Sequence, residues 1–351
     1  MGEGARQCDA ATGALLEHRF FPGGSKLFAA AGARPDGLVA LGVGFDPEDG
    51  GAAQFAVLFI RTDEPSFEQL HVLSWPASIK DIVGVSWDGE AFAVHGFAND
   101  NKQYVTRMAE DGTVLLPPTP FGIASGYPSD IRYATDPTSG VSFGVSSFFG
   151  LTLVAHQRDG TPIPLNYPNG GVFVPNKDWG ADGKNWGSGV DSHAALVATP
   201  AGVAVTWSGD GGEENTFVQL VDASLQASAP TIPLPAKYYA GTTVYDTNLW
   251  LAIQPLPDGW WLAGAAGSLD EYIVQSGSFA TRRTLVSYSD KALAQGVGFD
   301  ARYFESVRYK DEIWLGFSDL TDKVTGAQPY RIVRAKPECA YKSMIDLSMG
   351  W

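Results

Sequence analysis

The stretch Val85–Leu115, VSWDGEAFAVHGFANDNKQYVTRMAEDGTVL, carries two Asp-Gly pairs, Asp88-Gly89 and Asp111-Gly112, each set between short apolar runs. Asp-Gly tolerates the positive φ of tight hairpin turns, so each pair predicts a hairpin. With the residues just before it, the stretch parses into four strands: Ile79–Val85, Ala91–Phe97, Gln103–Ala109 and Thr113–Leu116. Two hairpins in succession make one four-stranded antiparallel sheet.

The same layout recurs along the chain: once upstream over 27–75, then over 130–165, 194–234, 249–288 and 305–335. Turns such as Pro35-Asp36-Gly37 and Pro257-Asp258-Gly259 stand where Asp88-Gly89 stands. The pattern repeats while the residues do not, at about 55 residues per unit against the 40–50 usual for propeller blades. The strands are apolar on both faces, as in AFAVHGF (Ala91–Phe97) and IWLGF (Ile313–Phe317). A sheet covered on both sides by other sheets requires this, whereas a half-exposed sheet would alternate. No helical stripe of about three turns is present.

With its W/x-D-G-x-φ turn between the first two strands of each unit, the chain resembles the broad class of secreted bacterial β-propellers over nearly its whole length. The resemblance implies an all-β single domain, residues 1–351, of six four-stranded blades. The sixth unit lacks a clear fourth strand, and GALLEHRFF (Gly13–Phe21) has no partner of its own. It is expected to complete the last blade and close the ring. A seventh blade assembled from both termini is the alternative. Cys8 and Cys339 lie near opposite ends, and a disulfide between them would pin the closure, adding about 4–5 kcal/mol in the chain-entropy view.

The net charge of −15 repels a phosphate backbone, so nucleic acid is not an expected partner. No run of about 18 apolar residues exists, so no membrane span is predicted. Terminal cysteines and an abrupt start suit a mature extracytoplasmic protein, periplasmic, surface-bound or secreted, and a monomer is expected.

In a propeller the first-to-second and third-to-fourth strand turns lie on one face, and the longer connections lie on the other. Binding concentrates in such connections. Those of this chain carry Tyr127, Tyr167, Trp179, Trp186, Tyr238, Tyr239 and Tyr245, platforms suited to a glycan, another small molecule or a peptide. The insert 166–193 holds Asp178, Asp182 and Asp191, a candidate Ca²⁺ site that departs from the EF-hand pattern. Asp191, His193 and His156 are the candidate catalytic groups. Hydrolase, dehydrogenase and P-loop signatures are absent. These readings lead to an extracytoplasmic binding module more readily than to an enzyme. The alternative is a propeller enzyme, a metal-assisted hydrolase, lactonase or lyase with an axial cation.

Overall fold

The computed structural model describes residues 4–8, 15–20, 30–45, 54–61, 67–100, 102–123, 131–146, 152–164, 194–199, 202–209, 215–221, 232–234, 252–256, 259–265, 268–275, 278–287, 299–309, 312–319 and 330–335. Among the described residues the chain is all β, with no helix. It divides into two compact units, one of residues 1–146 and 152–171, the other of 147–151 and 172–351.

The first unit opens with a hairpin of β1 (Gly4–Cys8) and β2 (Leu15–Phe20). A four-stranded sheet follows: β3 (Ala30–Ala33), β4 (Leu38–Phe45), β5 (Gln54–Arg61) and β6 (Phe67–Val72). Next come β7 (Ile79–Trp87), β8 (Phe92–Ala98), β9 (Lys102–Met108) and β10 (Val114–Ile123). The third sheet holds β11 (Ile131–Thr135), β12 (Ser142–Ser146) and β13 (Thr152–His156). Its expected fourth strand shrinks, among the described residues, to one bridge between His156 and Pro162.

The second unit repeats the plan. One sheet orders β14 (Ala194–Thr199), β15 (Gly202–Gly209), β16 (Asn215–Val221) and β17 (Ile232–Leu234). Another orders β18 (Ala252–Leu256), β19 (Gly259–Ala265), β20 (Ser268–Gln275) and β21 (Ser278–Ser287). The last holds β22 (Phe299–Tyr309), β23 (Glu312–Asp319) and β24 (Tyr330–Ala335).

One expectation is corrected here. The segment Gly13–Phe21 supplies β2, but β2 pairs with β1, Gly4 opposite Phe20, and not with β24. The strand GARQC was missed because it contains no β-branched or aromatic residue. The connectors are also less uniform than expected, since only residues 266–267 separate β19 from β20.

The Asp-Gly turns form as the chemistry requires. Asp88 Oδ1 accepts the amides of Glu90 (2.9 Å) and Ala91 (2.8 Å). Asp111 takes that of Thr113 and Asp159 that of Thr161, each at 2.9 Å. The residue after the aspartate then turns left-handed, at φ 95° for Gly89 and 85° for Gly112, where a Cβ would be strained.

Burial explains the double-faced apolar strands. All seven residues of β8 are buried. Phe92 and Val94 join Phe55, Val57 and Phe59 of the first sheet in one core. Ala93, one position out of phase, packs with Phe121 and Val154 toward the third sheet. The period of two thus sends alternate side chains into different seams. Successive sheets also meet through their first strands. Ser86 and Thr135 share a hydroxyl hydrogen bond of 2.5 Å, and Gly84 lies against Tyr133. Both contacts advance together along the chain, so β7 and β11 run parallel with an offset of 49 residues. In the second unit Gln254 donates to Ser306 O (3.2 Å) and Arg308 to Pro255 O (2.9 Å), with offsets of 52 and 53.

Candidate functional site

His95 occupies the β8 position that points, by alternation, into the seam with the third sheet. It is fully buried. Its ring stacks on Tyr133, with centroids 4.0 Å apart and planes 7° apart, and meets Phe121 edge-on. Room for Tyr133 comes from two glycines, since a Cβ on Gly84 would sit 2.7 Å from its ring and one on Gly144 2.5 Å. The Tyr133 hydroxyl donates to Gln103 Oε1 of β9.

Across the seam His156 Nε2 lies 3.0 Å from His95 Nε2, and His156 Nδ1 lies 2.7 Å from the Gln157 carbonyl oxygen. A carbonyl only accepts, so His156 carries its proton on Nδ1 and presents a lone pair at Nε2. His95 must then donate from Nε2. This leaves its Nδ1 as a buried acceptor without a well-formed partner, beside the Gly84 backbone. Burial, reinforced by the facing His156, pushes His95 well below its usual 6.5. Burial lowers His156 to about 4, against the opposing pull of the Gln157 carbonyl, Asp88 and Asp159. Tyr133 is raised well above 10 by burial. The cluster is a neutral, buried polar knot between two sheets, and no substrate reaches its atoms as it stands.

A second feature lies nearer the start of β7. Asp81 is 6% exposed, and the strand pairing shifts register on either side of it, between Ile79 and Asp81 and between Ile82 and Gly84. Such irregularities re-aim side chains. A buried carboxylate on a first strand, at the end away from the Asp-Gly turns, stands on the side where long connections enter.

The turn side is different. Arg107 Nε binds Asp88 Oδ2 at 2.5 Å, and Arg158 binds Glu90 and, at 2.8 Å, the Asp88 carbonyl. Arg34 reaches Glu110 at 3.0 Å, and Arg61 binds the same carboxylate. The hydrogen bond from Arg34 holds Asp36 down at about 2. The Arg34, Arg61 and Arg158 pairs tie these turns to the neighbouring sheet, while the Arg107–Asp88 pair lies within its own.

Of the residues singled out from sequence, His156 alone is placed with its surroundings, and it sits in the seam and not on a binding face. Tyr127, Tyr167, Trp179, Trp186, Tyr238, Tyr239, Tyr245, Asp178, Asp182, Asp191 and His193 lie outside the described residues. Cys8 falls on β1, but Cys339 lies outside them too, and so does the expected disulfide. Among the described residues no group of three or more His, Cys, Asp or Glu could hold a metal ion. Tyr133, Gln103 and Asp81 were missed, and His95 carries no sequence signal that sets it apart from an ordinary strand histidine. The signal that could have found the first three is a polar residue at an inward position of an otherwise apolar strand.

No protein-family model matches the chain, and no curated protein matches it. Solved structures do. The GH93 α-L-arabinofuranosidase of Fusarium graminearum with arabinobiose aligns at 10% identity over 90% of this chain and 94% of that one, with a TM-score of 0.51. The α-L-arabinofuranosidase of Fusarium graminearum with an iminosugar inhibitor gives 10%, 90%, 94% and 0.52. A glycosyl hydrolase from Bacteroides ovatus gives 10%, 89%, 84% and 0.40. The arabinofuranosidases are β-propellers, and at this identity the likeness is one of fold. It corrects the expectation of a non-enzymatic binding module, because the two arabinofuranosidases whose fold the chain shares are enzymes; the enzyme alternative accords better with them.

Proposed function

We propose that the chain is a propeller enzyme that hydrolyses glycosidic bonds outside the cytoplasm, its sheets closed into a six-bladed ring around the site. The observation that carries the reading is Asp81, a buried carboxylate at the connector-side end of a first strand. In the sequence a second aspartate, Asp130, immediately precedes β11. Glycoside hydrolysis needs two carboxyl groups: one protonates the leaving oxygen, and the other activates water or attacks the sugar carbon. Asp81 supplies one such group, and Asp130, outside the described residues, is the candidate for the second. The aromatic residues of the connectors, Trp179 and Trp186 among them, give the sugar apolar faces to stack on.

The test is a panel of nitrophenyl glycosides, with α-L-arabinofuranoside, sialoside and β-mannoside arms, run on the wild type, Asp81→Asn and Asp130→Asn. Turnover of at least one substrate is expected. Either variant should lose at least a hundredfold in kcat while keeping its melting temperature. No turnover anywhere in the panel or on arabinan oligosaccharides, or full activity in Asp81→Asn, overturns the reading.

A further inference from the structure

We propose that the His95–His156 contact is an acid-responsive clasp between the second and third sheets of the first unit, each sheet contributing one imidazole. The geometry carries this. Among the hydrogen bonds that join the two sheets, the imidazole pair's, at 3.0 Å, needs His95 as donor and His156 as acceptor. A further proton has two places to go. On His156 Nε2 it removes the only acceptor in the bridge and sets two N–H groups against each other. On His95 Nδ1 it puts a charge in a fully buried pocket.

The surroundings offer that charge little. His95 is faced by His156 of β13, Tyr133 of β11, Gln103 of β9, Phe121 of β10 and the Gly84 backbone of β7. Tyr133 stays neutral throughout the acid range. Asp88 and Asp159 act on His156, but Asp88 is already committed to Arg107, and Arg158 adds a positive charge on the same side. Acid therefore either breaks the bridge at His156 or leaves a buried charge on His95 that the Gly84 backbone offsets only in part, and either outcome costs the folded state.

The direction follows from proton uptake. In the unfolded chain both imidazoles titrate near the ordinary 6.5, and in the folded chain below it. Between about pH 6.5 and 4 the unfolded chain binds more protons, so stability is intact above 6.5 and falls as the pH drops. Each imidazole lowers the folded-to-unfolded ratio by up to about tenfold per pH unit in that window.

Guanidinium melts from pH 7.5 to 4.5 on the full chain test this, comparing the wild type with His95→Phe, whose ring keeps the stack on Tyr133. A wild-type midpoint that falls steeply below pH 6.5, and a shallower fall in the variant, support the clasp. Equal slopes overturn it. Should His95→Phe fail to fold, ¹⁵N-histidine NMR of the wild type decides. Support is an Nε2–H tautomer for His95, an Nδ1–H tautomer for His156 and both midpoints below the ordinary 6.5. Two imidazoles titrating near 6.5 overturn the proposal.

Discussion

Replacing Asp88 by alanine tests how the repeated turn holds its sheet. The Asp88 side chain is 1% exposed and the Arg107 side chain 12%. Its Oδ1 caps two amides of the turn, and Oδ2 takes the guanidinium. Each lost amide bond is worth about 1 kcal/mol. Removing one partner of a buried ion pair costs about 3–5 kcal/mol, because the other is left uncompensated. Arg107 keeps Glu90 at 3.3 Å, and relaxation recovers part of the loss, so about 4 kcal/mol is expected for Asp88→Ala. Asp88→Asn keeps the acceptor for the turn and should lose about half as much. In Asp88→Ala/Arg107→Met no orphaned charge remains, so the double variant should be at least about 1 kcal/mol more stable than the sum of the singles implies. Guanidinium denaturation followed by tryptophan fluorescence reads all three, with Trp87 adjacent in sequence. A loss under about 1 kcal/mol for Asp88→Ala, or strict additivity in the double variant, would refute the argument.

Two more substitutions probe separate parts of the first unit. Gly89→Ala places a Cβ at φ 95° and into the Pro137 carbonyl oxygen, so a loss above about 2 kcal/mol is expected by denaturant melt, and a neutral result removes the close approach of these two turns. Phe92→Ala empties the core between the first two sheets, where Phe92 is fully buried, and should cost about 3–5 kcal/mol with no change in the acid dependence of stability.

The strands of the opening stretch were legible because their signals are local. Asp-Gly fixes a turn through one carboxylate and one positive φ, and β7, β8 and β9 fall within two residues of their predicted ends. The β1–β2 pairing was not legible, since a strand such as GARQC is recruited by its neighbour and not by its own composition. The site was less readable still. His95 looked like an ordinary strand histidine, because its partners stand 38 and 61 residues away, and only the stacking of one sheet on the next brings them together. Asp81 carried no motif, and its meaning depends on a register between strands of different sheets that no single strand encodes. The aromatic and acidic residues of the connectors were conspicuous in the sequence, yet composition says nothing of how a connector is folded.

The crowding around Gly89, Gly112 and Gly140 also sets where this architecture can be altered. At all three a single added carbon would strike a neighbour: the Pro137 carbonyl, the His71 ring and the Arg158 side chain. An insertion at the Gly89 or Gly112 turn would have to displace an adjoining sheet, whereas Gly140 meets a side chain of its own sheet's segment. Close approach is not confined to the turns, since a Cβ on Gly96 of β8 would sit 2.4 Å from the Trp75 ring. Grafting a foreign recognition segment into the Gly89 or Gly112 turn should therefore fail unless the adjoining sheet moves with it, which makes the turn rim of the first unit its least editable edge.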